Sequence, residues 1–291
     1  MKLCRFVCLV PAHSTARVCN GLVLEDSSVL DLTAAGWPNL GQLLDHEQLP
    51  AELKRLAGQA DLPRHALDHV RLLPPVERQE VWAAGVTYLR SKQARMEESN
   101  FSATAYDRVY EADRPELFFK SLPEKVVGPG QAVCIRRDAK WNVPEPELAL
   151  VINSRGRIAG YTAGNDMSAR DIEGENLLYL PQAKIYTGSC ALGPWITVGT
   201  SEAEARSWKI QLQIQRAGQM VFGGETSVSQ IKRSFEELVA FLFRSQSFPH
   251  GAVLLTGTGV VPPETFTLQP GDLVRITISG IGTLENRVEQ A

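Results

Sequence analysis

Glu145 and Glu147, with Asp166 and Lys184 downstream, are the side chains whose types and spacing promise chemistry. After Pro144 the run Glu145-Pro146-Glu147-Leu148-Ala149-Leu150-Val151-Ile152 has strand propensity, and residues two apart on a strand share a face. The two glutamates therefore point the same way. A turn at Ser154-Arg155-Gly156 returns the chain through Arg157–Thr162 to Gly164-Asn165-Asp166, and such a hairpin brings Asp166 beside them. Three carboxylates buried together without a partner are costly, so the arrangement asks for a cation. An all-oxygen set suits a hard divalent ion, magnesium best, with manganese and calcium as alternatives. The competing reading is the solvated face of an edge strand, which Pro146 would permit. Lys184 can act as a neutral amine that takes a proton from carbon, or stay charged and bind a substrate oxygen.

The elements that must position these groups are mostly short strands. Residues 1 to about 74 read as a small lobe, with strands at Val7–Pro11, Gly21–Glu25 and Val29–Leu32, then helical spacing at Leu40–Leu44 and Leu49–Ala57. His65 and His69 have the spacing of a helical metal pair but lack an acidic or cysteine partner motif. Val81–Val86 is an apolar strand that leads through Thr87–Ser91 into a helix-compatible run, Lys92–Ser99, and residues 100–114 suit a mobile segment over a site. Strand character resumes at Pro115–Ser121. There Glu116 precedes an apolar pair, and partial desolvation would suit it to acid–base work; a salt bridge with Lys120 is the alternative. Ser168-Ala169-Arg170-Asp171 starts a short helix whose Asp171, Glu173 and Glu175 read as solvated or paired with Arg170. From Trp195 onward the pattern is β, with Ile210, Leu212 and Ile214 and then Val274, Ile276 and Ile278 alternating with polar residues. One helix is expected at Val228–Phe243. In Leu254-Leu255-Thr256-Gly257-Thr258-Gly259 the glycines admit a close backbone approach, and Thr258 offers a hydroxyl to a substrate carboxylate.

Glu145-x-Glu147, Asp166, Lys184 ahead of Gly193-Pro194, and Thr256-Gly257-Thr258 together resemble the signature of the fumarylacetoacetate hydrolase family. The wording SARDIEGENLLYLPQAK followed by CALGP is most similar to the family's branch of 2-keto-3-deoxy-pentonate dehydratases. The resemblance implies an α+β fold: a mixed, β-rich roll or barrel core at 76–291 with a small N-terminal α/β lobe at 1–75. It implies Glu145, Glu147 and Asp166 as metal ligands, Lys184 and Glu116 as the acid–base pair, and Glu116 as the group that protonates a departing hydroxyl. The expected reaction is loss of water from a 2-keto-3-deoxy sugar acid such as 2-dehydro-3-deoxy-D-arabinonate, giving 2,5-dioxopentanoate. A homodimer or homotetramer is the family expectation.

One departure carries information. Where many members have a Tyr, a His and a Glu that activate water for carbon–carbon cleavage, this chain has Leu89, Arg90, Ser91 and Lys92, none of them a base of the histidine kind. Hydrolysis or decarboxylation of an acylpyruvate-type diketone is thereby the weaker alternative, and a non-catalytic sugar-acid-binding protein the third. Arg90 instead offers a fixed cation to the carboxylate or hydroxyls of a sugar acid, against the alternative of a surface arginine at a helix start.

Bulk properties agree with a soluble enzyme and make a small ligand the better expectation; that it is a small-molecule 2-keto acid is what the resemblance implies. At 291 residues and 44% hydrophobic there is material for a real core, and the net charge of −3 gives no footprint for nucleic acid or an anionic membrane. Cys4, Cys8, Cys19, Cys134 and Cys190 form an odd set without CxxC spacing and read as reduced cytoplasmic thiols. The start MKLCRFVCLV reads as a first strand rather than a signal peptide, and no run is long and apolar enough to span a membrane.

Overall fold

The computed structural model describes residues 1–8, 17–90 and 108–291. The expected run 92–99 and most of the segment 100–114 lie outside these residues, as does the end of the strand expected at Val7–Pro11.

Pro146–Ile152 is the spine. Every residue of this strand is buried, and it is paired on both sides, antiparallel to Ile158–Asp166 and to Ala252–Leu255. The edge-strand alternative is therefore wrong: Pro146 is tolerated because it stands at the strand's first residue. Alternation divides the side chains between two cores. Leu148, Leu150 and Ile152 pack with Tyr161, Ile210 and Leu212, while Ala149 and Val151 pack with Leu192, Leu255 and the helix leucines Leu43 and Leu53. Truncating a leucine such as Leu148 in so closed a setting costs about 2–5 kcal/mol.

Among the described residues the spine belongs to an eleven-stranded mixed sheet. Beyond Ile158–Asp166 come Cys190–Thr197 and then Lys2–Cys8, whose Lys2 and Leu3 pair with Thr197 and Ile196. The N-terminal strands Val18–Val23, Ser28–Asp31 and Arg64–Ala66 extend this same sheet. On its other side Ala252–Leu255 runs parallel to Glu80–Gly85, which pairs with Glu116–Ser121. Helices Leu40–Leu44 and Leu49–Ala57 bury leucines against one face, as their spacing predicts. A five-stranded sheet built on Lys209–Arg216 and Leu273–Ile278 covers the opposite core. The result is the mixed, β-rich α+β architecture expected.

One local expectation needs correction. The helix foreseen over Val228–Phe243 is a short 3-10 turn, Val228–Gln230, followed by a helix at Phe235–Phe243. Ser234 divides them, because its hydroxyl accepts from the amide of Glu237 and caps a new helix start. His65 lies on a strand and His69 in a 3-10 turn, so no helical metal pair exists. All five cysteines are free, and no described helix is long and apolar enough to cross a membrane.

Candidate metal centre and acid–base site

The hairpin does the first part of the positioning. Glu147 stands opposite Gly164, and the amide of Asp166 donates to the carbonyl of Glu145 at 3.0 Å, so the three acids meet at one end of the spine. All three are buried, and each presents one oxygen within 4.8 Å of the others. Gly257 fixes Glu147: its backbone N–H donates to Oε2 at 2.6 Å from a left-handed conformation (φ +88°). A Cβ there would fall 2.1 Å from Thr87 Oγ1, so the position requires glycine.

Three buried cations converge on the acids. Lys184, at the end of the helix Leu180–Lys184, donates from Nζ to Glu145 Oε2 at 2.8 Å, Asp166 Oδ2 at 2.9 Å and Ser168 Oγ at 2.6 Å. Lys120 Nζ lies 2.5 Å from Asp166 Oδ1 and donates to the carbonyls of Met167 and Lys184. Arg170 Nη2 is 3.1 Å from Glu145 Oε1. The compensation that the sequence reading assigns to a metal alone is thus shared by protein cations. Glu147 has the weakest share of it. Burial, followed by the charges of Asp166 and Glu145, holds its carboxyl well above the ordinary glutamate value. An all-oxygen, triply acidic set in which an ammonium already bridges two members fits a hard divalent ion.

Two local pairings were open alternatives in the sequence, and the structure shows longer-range partners. Glu116 and Lys120 are four residues apart on one strand, a separation of about 13 Å along the chain, and Lys120 reaches Asp166 instead. Arg170 reaches Glu145 across the site. Glu173, read as solvated or paired, is buried.

The structure gathers Glu116, Glu145, Glu147, Asp166, Lys184 and Thr258 around one small cavity, of about 20 Å³. Gly85, Phe118, Glu173 and Gly257 complete much of its wall. Thr258 Oγ1 lies 3.2 Å from both the N–H and the carbonyl of Val260, within its own loop. Arg90 is exposed at the start of a helix and does not line the cavity. A second cavity of about 340 Å³ adjoins, lined by Glu116 and Glu173 together with Val109, Arg114, Pro115, Leu177 and Leu180. Lys120 and the site positions of Arg170 and Glu173 are what sequence reasoning missed, while the close backbone approach expected at Gly257 is made to Glu147. For Lys120 a signal existed: Glu116, Phe118 and Lys120 alternate onto one face of a strand.

This arrangement of acids and lysine on a mixed β roll invites comparison with known proteins. A model of the fumarylacetoacetate (FAA) hydrolase C-terminal region matches residues 80–289. The chain belongs to the fumarylacetoacetate hydrolase family. Within the family it is 47% identical over 245 residues to a probable 2-keto-3-deoxyxylonate dehydratase of Haloferax volcanii, covering 83% of this chain and 82% of that protein. It is 42% identical over 274 residues to a 2-dehydro-3-deoxy-D-arabinonate dehydratase of Saccharolobus solfataricus, covering 92% and 91%. A solved 2-keto-3-deoxy-D-arabinonate dehydratase complexed with magnesium and 2,5-dioxopentanoate superposes with a TM-score of 0.80 at 34% identity, covering 100% of this chain and 99% of that one.

Proposed function

We propose that this chain is a magnesium-dependent hydro-lyase that removes water from a 2-keto-3-deoxy sugar acid, converting 2-dehydro-3-deoxy-D-arabinonate or its C4 epimer to 2,5-dioxopentanoate. The observation that carries the reading is the convergence of Glu145, Glu147, Asp166, Lys184 and Glu116 on one cavity, in a chain 42% identical to a protein of that activity.

Glu145, Glu147 and Asp166 would hold the divalent ion, which supplies a Lewis acid for the 2-keto acid end of the substrate. Manganese and calcium suit the same oxygen donors. Lys184, which a dication beside it would favour as the neutral amine, takes the C3 proton that the neighbouring ketone acidifies. Glu116, half-buried and opposite Gly85 in the strand register, gives its proton to the departing C4 hydroxyl. Thr258 offers its hydroxyl to the substrate carboxylate. Residues 76–291 form the catalytic unit of this proposal, residues 1–75 its smaller lobe, and the assembly is a homodimer or homotetramer.

The test is an assay with 2-keto-3-deoxy-D-arabinonate and its C4 epimer, coupled to nicotinamide reduction by a 2,5-dioxopentanoate dehydrogenase. Turnover that requires magnesium and stops with chelator is expected. Release of pyruvate from an acylpyruvate faster than either dehydration would overturn the reading.

A further inference from the structure

The proposed reaction ends in an aldehyde at C5, and it requires more proton transfers than Lys184 and Glu116 perform in losing water. Removal of the C3 proton and the C4 hydroxyl leaves 2-keto-5-hydroxypent-3-enoate, a conjugated enone. To become 2,5-dioxopentanoate the enone must lose a proton from C5, regain one at C3, and then accept one at C4 while its enol O–H proton leaves. A base is therefore needed at the end of the chain remote from the keto acid.

With the keto acid held at Glu145, Glu147 and Asp166, that end would extend toward the adjoining cavity, which Glu173 borders. Glu173 is buried, and with Glu116 it lines both the inner cavity and the adjoining cavity of about 340 Å³, so these two carboxyls flank the junction between them. Its helix, Arg170–Glu175, is tied to the acid cluster by the Arg170–Glu145 ion pair and by the bond from the Arg170 amide to the carbonyl of Trp141 at 2.7 Å. The geometry points to Glu173 as the catalytic base that removes the C5 proton of the enone.

The cycle then closes on this chain's own groups, and it rests on the dehydratase reading above. Lys184, as the neutral amine, takes the C3 proton while the protonated Glu116 carboxyl gives its proton to the C4 hydroxyl, and water leaves. The Glu173 carboxylate takes a C5 proton; the C5–H electron pair becomes the C4=C5 bond, the C3=C4 pair moves to C2=C3, and the C2=O pair moves onto O2. The Lys184 ammonium returns its proton to C3, restoring the ketone and leaving a C4=C5 enol. Protonated Glu173 gives its proton to C4 while the C5 hydroxyl proton passes to the Glu116 carboxylate. Lys184, Glu116 and Glu173 all regain their starting states, with water as the sole by-product.

The deciding experiment is a single-turnover reaction of Glu173→Gln with the active sugar acid, following enone absorbance and aldehyde separately. Enone should accumulate while aldehyde formation falls at least about 100-fold, and Glu175→Gln, exposed on the same helix, should behave as wild type. Aldehyde at the wild-type rate in Glu173→Gln would overturn the assignment, as would equal loss of enone and aldehyde. If the variant does not fold, wild-type enzyme with substrate carrying one deuterium of defined configuration at C5 decides: all-or-none loss of the label supports a fixed base, and unselective loss refutes it. A wild-type protein that forms neither enone nor aldehyde would instead defeat the dehydratase reading itself.

Discussion

Replacing Lys120 by methionine removes one cation from the buried network and keeps most of the side chain's length. Lys120 is fully buried, with Nζ 2.5 Å from Asp166 Oδ1 and hydrogen bonds to the carbonyls of Met167 and Lys184. The variant leaves Asp166 leaning on Lys184 alone and strips a donor from two buried carbonyls. Breaking one side of a buried pair costs about 3–5 kcal/mol, because the surviving charge has lost its partner in a low dielectric. At about 2–4 °C per kcal/mol for a chain of this size, the melting midpoint in chelator should fall by about 6–20 °C. Saturating magnesium should narrow that gap, since a dication beside Asp166 restores positive charge. Thermal denaturation followed by circular dichroism, with chelator and with magnesium, measures both. A drop under about 3 °C in chelator, or a gap that widens with magnesium, would refute the view that Lys120 balances the metal site.

Glu147 predicts a pH dependence of definite sign. Its folded carboxyl titrates above the ordinary value of 4.5, so the metal-free folded state holds a proton that the unfolded state gives up. Its stabilising contribution is complete below that ordinary value and is lost as pH rises through the raised one. The metal-free melting midpoint should fall over this range, magnesium binding should release a proton, and Glu147→Gln should remove both effects; a variant that still releases a proton on binding magnesium would exclude Glu147 as its source. Gly85→Ala would place a Cβ 2.0 Å from Glu116 Oε2 and displace that carboxyl. Turnover should fall by about 100-fold with little change in melting, and unaltered turnover would separate Glu116 from the chemistry.

Much of the architecture was legible because it is written in local periods. The two early helices fall where leucine spacing puts them, and the alternation at Ile210–Ile214 and Val274–Ile278 matches paired strands of one sheet. The Glu145–Glu147–Asp166 cluster was legible for the same reason, since one hairpin carries all three. What stayed open in the sequence shares a cause: pairing of Glu116 with Lys120, and of Arg170 with the acids of its own helix, were only local alternatives, whereas the structure sends Arg170 to Glu145 and Lys120 to Asp166.

By itself the sequence determined which groups exist and which way each element turns them: two acids on one strand face, a third returned by a turn, a lysine downstream, and no histidine base. Only the tertiary structure decided how the charges are balanced. Ion pairing acts over a few ångströms in space, and the separations are set by sheet order and helix placement rather than by distance along the chain. Glu116–Ser121 had to be brought near the acid hairpin before Lys120 could reach Asp166, and the helix Arg170–Glu175 had to fold against the cavity before Glu173 could line it.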